Sequence, residues 1–131
     1  LTEQHRLTNQ IKFIDHCEDM ALAYKVSDII VSASIEPEAF GRVAIEAQSM
    51  EKLIIASNIG GSNETINDEK TGFLFKSGDA ESLGKKIIRG LTMDETSINL
   101  IGKKGRDNII KKFNVEKMCF STYSEYKRLL N

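Results

Sequence analysis

Short apolar runs separated by amphipathic stretches constrain this chain more than any other feature. Ile11–Ile14, Ile29–Ala33, Leu53–Ala56 and Phe73–Phe75 are all short and read as strands. The Ile, Val and Ala of the second and third runs suit strands buried on both faces. Between them, Glu18–Lys25 and Arg42–Met50 read as helices. After the last strand the chain turns wholly helical. Asp79 caps a helix to about Leu91, Asp94 starts another to about Phe113, and Val115–Leu130 forms a third. Strand–helix alternation with short connections predicts an α/β domain with a parallel sheet of about four strands and a helical C-terminal third.

At 131 residues the chain is long enough for one domain with a real core and short for a two-domain enzyme. With 40% hydrophobic and 28% charged residues it is neither disordered nor fibrous. No apolar run approaches the roughly 20 residues that a membrane-spanning helix needs. The start, Leu1-Thr-Glu-Gln-His5, lacks an initiator methionine and any targeting signature, so it reads as a cut in a longer polypeptide. Cys17 and Cys119 lie far apart without metal-like partners and read as reduced thiols of a cytosolic protein. His5 and His16 make no metal site between them. A net charge of -1 argues against a nucleic-acid surface. The one basic cluster, Lys103, Lys104, Arg106, Lys111 and Lys112, reads as a solvated helix face, with peripheral contact to an anionic membrane as the alternative.

Open parallel sheets bind ligands outside the carboxyl ends of their strands. The unusual residues of this chain collect there. Glu36-Pro-Glu-Ala-Phe-Gly-Arg42 follows one strand, and Ser57-Asn-Ile-Gly-Gly-Ser-Asn-Glu64 follows the next. Gly41 permits a tight turn, and a helix begins at about Arg42. The free amides of its first turn, with the positive end of its dipole, suit a phosphate. Val43, Ala47 and Met50 form an apolar stripe that Glu46 shares by its spacing from Val43. A carboxylate facing a core is costly without partners. Glu46 either accepts hydrogen bonds from a diol such as a ribose or pairs with a nearby backbone group or Arg side chain. Glu38, still in the loop, lies beside the phosphate end. Arg42 either clamps an anion or points to solvent. Gly60 and Gly61 either form a turn only or let the backbone approach a ligand. Phe40 reads equally well as a core anchor, and its side chain is assigned no role.

Glu38-Ala-Phe-Gly-Arg-Val-Ala-Ile-Glu-Ala47 resembles the E-x7-E segment of family 4 glycosyltransferases of the GT-B fold. Phe13-Ile-Asp-His-Cys-Glu-Asp-Met20 and Ser27-Asp-Ile-Ile-Val-Ser-Ala-Ser34 are similar to the strand, helix and strand that precede that segment. Leu53-Ile-Ile-Ala-Ser57 with Gly60-Gly-Ser-Asn-Glu-Thr-Ile66 resembles the following strand and its Gly-Gly-x-x-Glu turn. Lys70-Thr-Gly-Phe-Leu-Phe75 and Gly78-Asp79 continue the series, which covers about residues 11 to 115.

The resemblance implies a Rossmann-like three-layer domain, the donor-binding C-terminal half of a GT-B enzyme over residues 1–131, truncated at its N-terminal side. It implies that Glu38 contacts donor-sugar hydroxyls and acts catalytically, and that Glu46 holds the ribose hydroxyls. Backbone amides of Phe40, Gly41, Arg42 and Val43 would meet the sugar and the diphosphate. The base would lie near Cys17 to Asp19, and Gly60 and Gly61 would join the donor site. The substrate implied is a nucleotide-diphosphate sugar, bound without a metal and transferred with retention to a glycan or lipid-linked acceptor. Front-face departure, with the leaving phosphate helping to deprotonate the acceptor, is the mechanism that goes with it. A cytoplasmic enzyme, at the inner face of the membrane or away from it, is implied.

The family's basic pair for the diphosphate and its N-terminal acceptor domain both precede this sequence, so the fragment alone is expected to be inactive. A non-catalytic nucleotide-binding module, or a split-gene piece that needs a partner N-terminal domain, is the alternative. Glu51-Lys52 stands where the family commonly has a glycine. The last helix carries an apolar face of Val115, Met118, Cys119, Tyr123, Tyr126 and Leu130. That face either packs on the chain's own sheet or is left uncovered and prone to self-association.

Overall fold

The computed structural model describes residues 1–130. In chain order the elements are α1 (Met20–Val26), β1 (Ile29–Ser32), α2 (Arg42–Ser49), β2 (Leu53–Ser57) and α3 (Ser62–Thr65). β3 (Phe73–Phe75), α4 (Ala80–Thr92), α5 (Glu95–Lys112) and α6 (Val115–Leu130) follow. The three strands form a parallel sheet in the order β1-β2-β3, with Ile29 opposite Leu53 and Ile55 opposite Phe73. β2 is buried along its whole length, as a central strand covered on both faces must be. Its alternate residues serve two cores. Ile54 and Ala56 pack with Tyr24, Ala44, Ala47 and Ile66 on one side, while Leu53 and Ile55 pack with Phe73, Phe75 and Ile101 on the other. The result is a sheet between two helical layers, as the resemblance implies.

The strand count differs from expectation. Ile11–Ile14 forms no strand, and Ile11, Phe13 and Ile14 are exposed. A four-residue run such as Ile-Lys-Phe-Ile becomes a strand only where a ladder pairs it, and among the described residues nothing pairs with the outer edge of β1. The first helix begins at Met20 rather than Glu18, because the Asp19 side chain accepts from the Leu22 amide and so caps it. Asp79 and Asp94 cap α4 and α5 in the same way, through the amides of Ser82 and Ser97. α6 buries no residue. Val115, Met118, Tyr123 and Tyr126 are exposed on it, so it does not pack on the chain's own sheet. Among the described residues no helix is long and apolar enough to cross a membrane. Of the basic cluster, Arg106 is engaged within the fold: it bonds the Ser49 carbonyl and lies 3.8 Å from the Glu51 carboxylate.

Glu51 has φ +57° in the turn between α2 and β2. A left-handed conformation costs a residue with a side chain roughly 1–2 kcal/mol, which explains why glycine suits this turn. Glu51→Gly is expected to stabilise the fold by about 0.5–1 kcal/mol, after the extra chain entropy that glycine loses on folding. Thermal melts in parallel with the parent check this, and an unchanged or lower midpoint contradicts it.

Candidate functional site

The site is built from the loops that follow β1 and β2 at the carboxyl edge of the sheet, joined by a backbone bond and braced by the loop after β3. Ser34 donates to the Glu38 carboxylate, Ser77 donates to the Ser34 carbonyl at 3.3 Å, and the Gly61 amide donates to the Glu38 carbonyl at 2.8 Å. The two glycines have a reason to be there. A Cβ on Gly60, where φ is +55°, would come 2.6 Å from the Glu38 carbonyl oxygen, and one on Gly61 would come 2.5 Å from the Phe40 carbonyl carbon. Gly60 and Gly61 therefore press backbone against backbone on the loop that carries Glu38 and Phe40. Neither of the two readings of this turn from sequence contained that contact. Gly61 then leads into α3, a single turn too short to show in the periodicity.

Gly41, with φ +70°, stands at the N-cap of α2, and no side chain caps the helix. The Ala44 amide turns back to the Gly41 carbonyl at 3.1 Å, which leaves the Arg42 and Val43 amides for a ligand at the positive end of the dipole. A Cβ on Gly41 would lie 3.6 Å from the Ser62 amide nitrogen, so the starts of α2 and α3 adjoin. Val43 is partly buried against the core of Tyr24, Ala44, Ala47 and Ile54.

One turn along α2, Glu46 faces a cleft of about 340 Å³ between α1 and α2, shared with Met20, Tyr24, Arg42 and Met50. Tyr24 Oη donates to Glu46 Oε2 at 2.9 Å, and the Arg42 guanidinium donates to Oε1 at 3.0 Å. The Arg42 side chain is 84% exposed and that of Glu46 34%, so the ion pair is a surface one of small net worth. Tyr24 differs, being only 5% exposed. Burial pushes its phenol up to about 12, and the bond to the Glu46 carboxylate adds to the shift. It therefore stays a proton donor throughout the neutral range.

The structure thus brings Glu38, Phe40, Gly41, Arg42, Val43, Glu46, Gly60 and Gly61 to one edge of the sheet. Cys17 and Asp19 stand at the start of α1, beside Met20 of the cleft, and Asp19 is spent on its capping bond. Phe40 is no core anchor. It is half exposed, and its ring meets Phe113 edge-on at 5.8 Å. That pair lines a second, apolar groove of about 470 Å³ with Val115 and Met118. Sequence reasoning missed Tyr24 and Ser34. The signal for Tyr24 was the unmet need of Glu46 for a partner.

The description "Glycosyl transferases group 1" matches residues 1–114. The chain belongs to that family. Its relatives are glycosyltransferases too. The capsular polysaccharide biosynthesis glycosyltransferase CapM of Staphylococcus aureus is 31% identical over 120 residues, covering 92% of this chain and 31% of CapM. A glycosyltransferase structure from Rickettsia africae is 40% identical with a TM-score of 0.92, over 99% of this chain and 35% of that one. Anabaena HepE, solved with UDP and glucose, shares the fold at 24% identity with a TM-score of 0.86, over 95% of this chain and 34% of its own. These neighbours are GT-B glycosyltransferases, and the Rossmann-like sheet of this group 1 chain corresponds to part of that larger fold. The chain spans about a third of the length of the relatives it matches.

Proposed function

We propose that residues 1–131 form the C-terminal, donor-binding domain of a retaining group 1 glycosyltransferase. The observation that carries the reading is the uncapped start of α2 with Glu46 one turn further along. In this reading the α2 amides take the diphosphate, Glu46 the ribose hydroxyls and Glu38 the donor-sugar hydroxyls. The base extends toward Cys17 and Asp19. That HepE, of the same fold, was solved with UDP and glucose supports a nucleotide-diphosphate sugar as the ligand.

The chemistry follows from that placement. The bond from the anomeric carbon to the diphosphate oxygen breaks while an acceptor oxygen bonds to the same carbon from the same face. The acceptor's proton passes to the departing phosphate. Negative charge grows on the phosphate as it leaves, and the fixed amide dipoles of α2 stand ready to meet it without reorganising. Positioning does the rest, and in this reading the diphosphate needs no metal. The acceptor is a glycan or a lipid-linked sugar held by the N-terminal domain, so the chain alone turns over no sugar. Work in the cytoplasm, at the inner face of the membrane or away from it, goes with an acceptor of that kind.

Calorimetric titration with nucleoside diphosphates tests the reading. Glu46→Ala removes an ionised acceptor, and hydrogen bonds to charged groups are worth about 1.5–3 kcal/mol, so affinity is expected to fall at least about tenfold. Unchanged binding would sink the ribose role.

A further inference from the structure

Glu46 reaches the cleft from a half-buried position, and a free glutamate side chain there would sample several rotamers. Its orientation is held by two donors of unequal character. Arg42 lies four residues back on the same helix, is largely exposed, and is free to leave. Tyr24 comes from a different helix, and it is buried in the core that holds Ala44, Ala47 and Ile54. The phenol is therefore a fixed point and the guanidinium is not. A carboxylate offers about four lone-pair positions. Tyr24 takes one on Oε2 and Arg42 one on Oε1, which leaves a free position on each oxygen for the two hydroxyls of a diol.

We infer that Tyr24 is a positioning residue, whose buried hydroxyl holds the Glu46 carboxylate in the orientation that accepts both hydroxyls of a ribose. The inference rests on the ribose reading of Glu46 and deepens it. Tyr24 lines the same cleft, and its duty there is to hold Glu46. It acts through Glu46, and its ring and its hydroxyl have separate duties, one to the core and one to the site.

Tyr24→Phe separates those duties, because it keeps the ring and removes only the hydroxyl. The experiment uses the full natural polypeptide that carries this chain. The probe is whichever of uridine, guanosine and adenosine diphosphate binds best, together with its 2′,3′-dideoxy counterpart. Tyr24→Phe is expected to weaken the parent nucleotide about tenfold and to leave the dideoxy nucleotide unchanged, since the latter has no diol to present. An equal loss for both probes would mean a general structural effect and overturns the inference. No loss in Tyr24→Phe, with a clear diol-dependent loss in Glu46→Gln, overturns the role of Tyr24 and leaves the ribose reading standing. A Glu46→Gln variant that loses nothing, or loses both probes alike, overturns the ribose reading and this inference with it. So does failure of the unmodified protein to bind any of the three.

Discussion

Gly60→Ala is expected to lower kcat/KM for sugar transfer by about 100-fold, measured on the full natural polypeptide. Two effects act at one atom. A Cβ at Gly60 would come 2.6 Å from the Glu38 carbonyl oxygen and 2.8 Å from its amide nitrogen, so the loop carrying Glu38 must move away. The backbone there also has φ +55°, which costs alanine roughly 1–2 kcal/mol. Part of that cost appears as lower stability, and the loop's displacement appears as lost rate. Misplacing a reacting group by about 1 Å can cost 10²-fold, and the two backbones cannot reach ordinary van der Waals distance with less movement. A hundredfold loss corresponds to about 2.7 kcal/mol of transition-state stabilisation. The expected signature is a protein that melts cooperatively, a few degrees lower, and transfers sugar poorly. Full activity in Gly60→Ala would mean that the glycine turn does not set the position of Glu38, and the catalytic role given to that loop would lose its support.

What was legible in the sequence is what local chemistry encodes. Asp79 and Asp94 announce their helices because a carboxylate can satisfy a first-turn amide, and Gly41 announces a turn that a side chain would strain. The spacing of Glu38 and Glu46 puts one in the loop and the other one turn along the helix. Contacts between residues far apart in the chain left no such trace. Nothing local marks Tyr24 within its predicted helix, and its hydroxyl meets Glu46 only once α1 and α2 are packed together. Phe40 and Phe113 belong to different loops and meet only through the fold. Ile11–Ile14 failed as a strand for the converse reason. Its composition suits a strand, but pairing is a property of the neighbour and not of the run. The four residues of α3 fall below the length at which any period can be read.

Gly102→Ala is the test of the scaffold beneath the site, and it is expected to destabilise the fold by about 2 kcal/mol. Helix propensity alone predicts the opposite sign, since alanine is better than glycine in a helix by about 1 kcal/mol. The sign is reversed by one contact. A Cβ on Gly102 would overlap the carbonyl oxygen of Glu51, and α5 lies that close to the turn between α2 and β2. Gly105, one turn on, would bring a Cβ within 3.2 Å of the Thr71 carbonyl oxygen, so the helix cannot escape by rolling in that direction. The turn cannot easily retreat either. The Glu51 and Lys52 amides bond the carbonyls of Gln48 and Ala47, and Leu53 begins the fully buried strand. Overpacking of this kind costs about 1–3 kcal/mol, occasionally more, and at a backbone-to-backbone contact the upper end applies. In a domain of this size the melting midpoint should fall by roughly 5–10 °C. Gly84→Ala supplies the contrast. It lies in α4, a Cβ there meets nothing within 4 Å, and propensity should then act alone, raising stability by about 0.5–1 kcal/mol. Opposite signs at the two glycines would show that α5 is seated directly on the turn that follows the site helix. A Gly102→Ala protein that melts with or above the parent would mean that the helix can stand further off, and that the position of α2 does not depend on it.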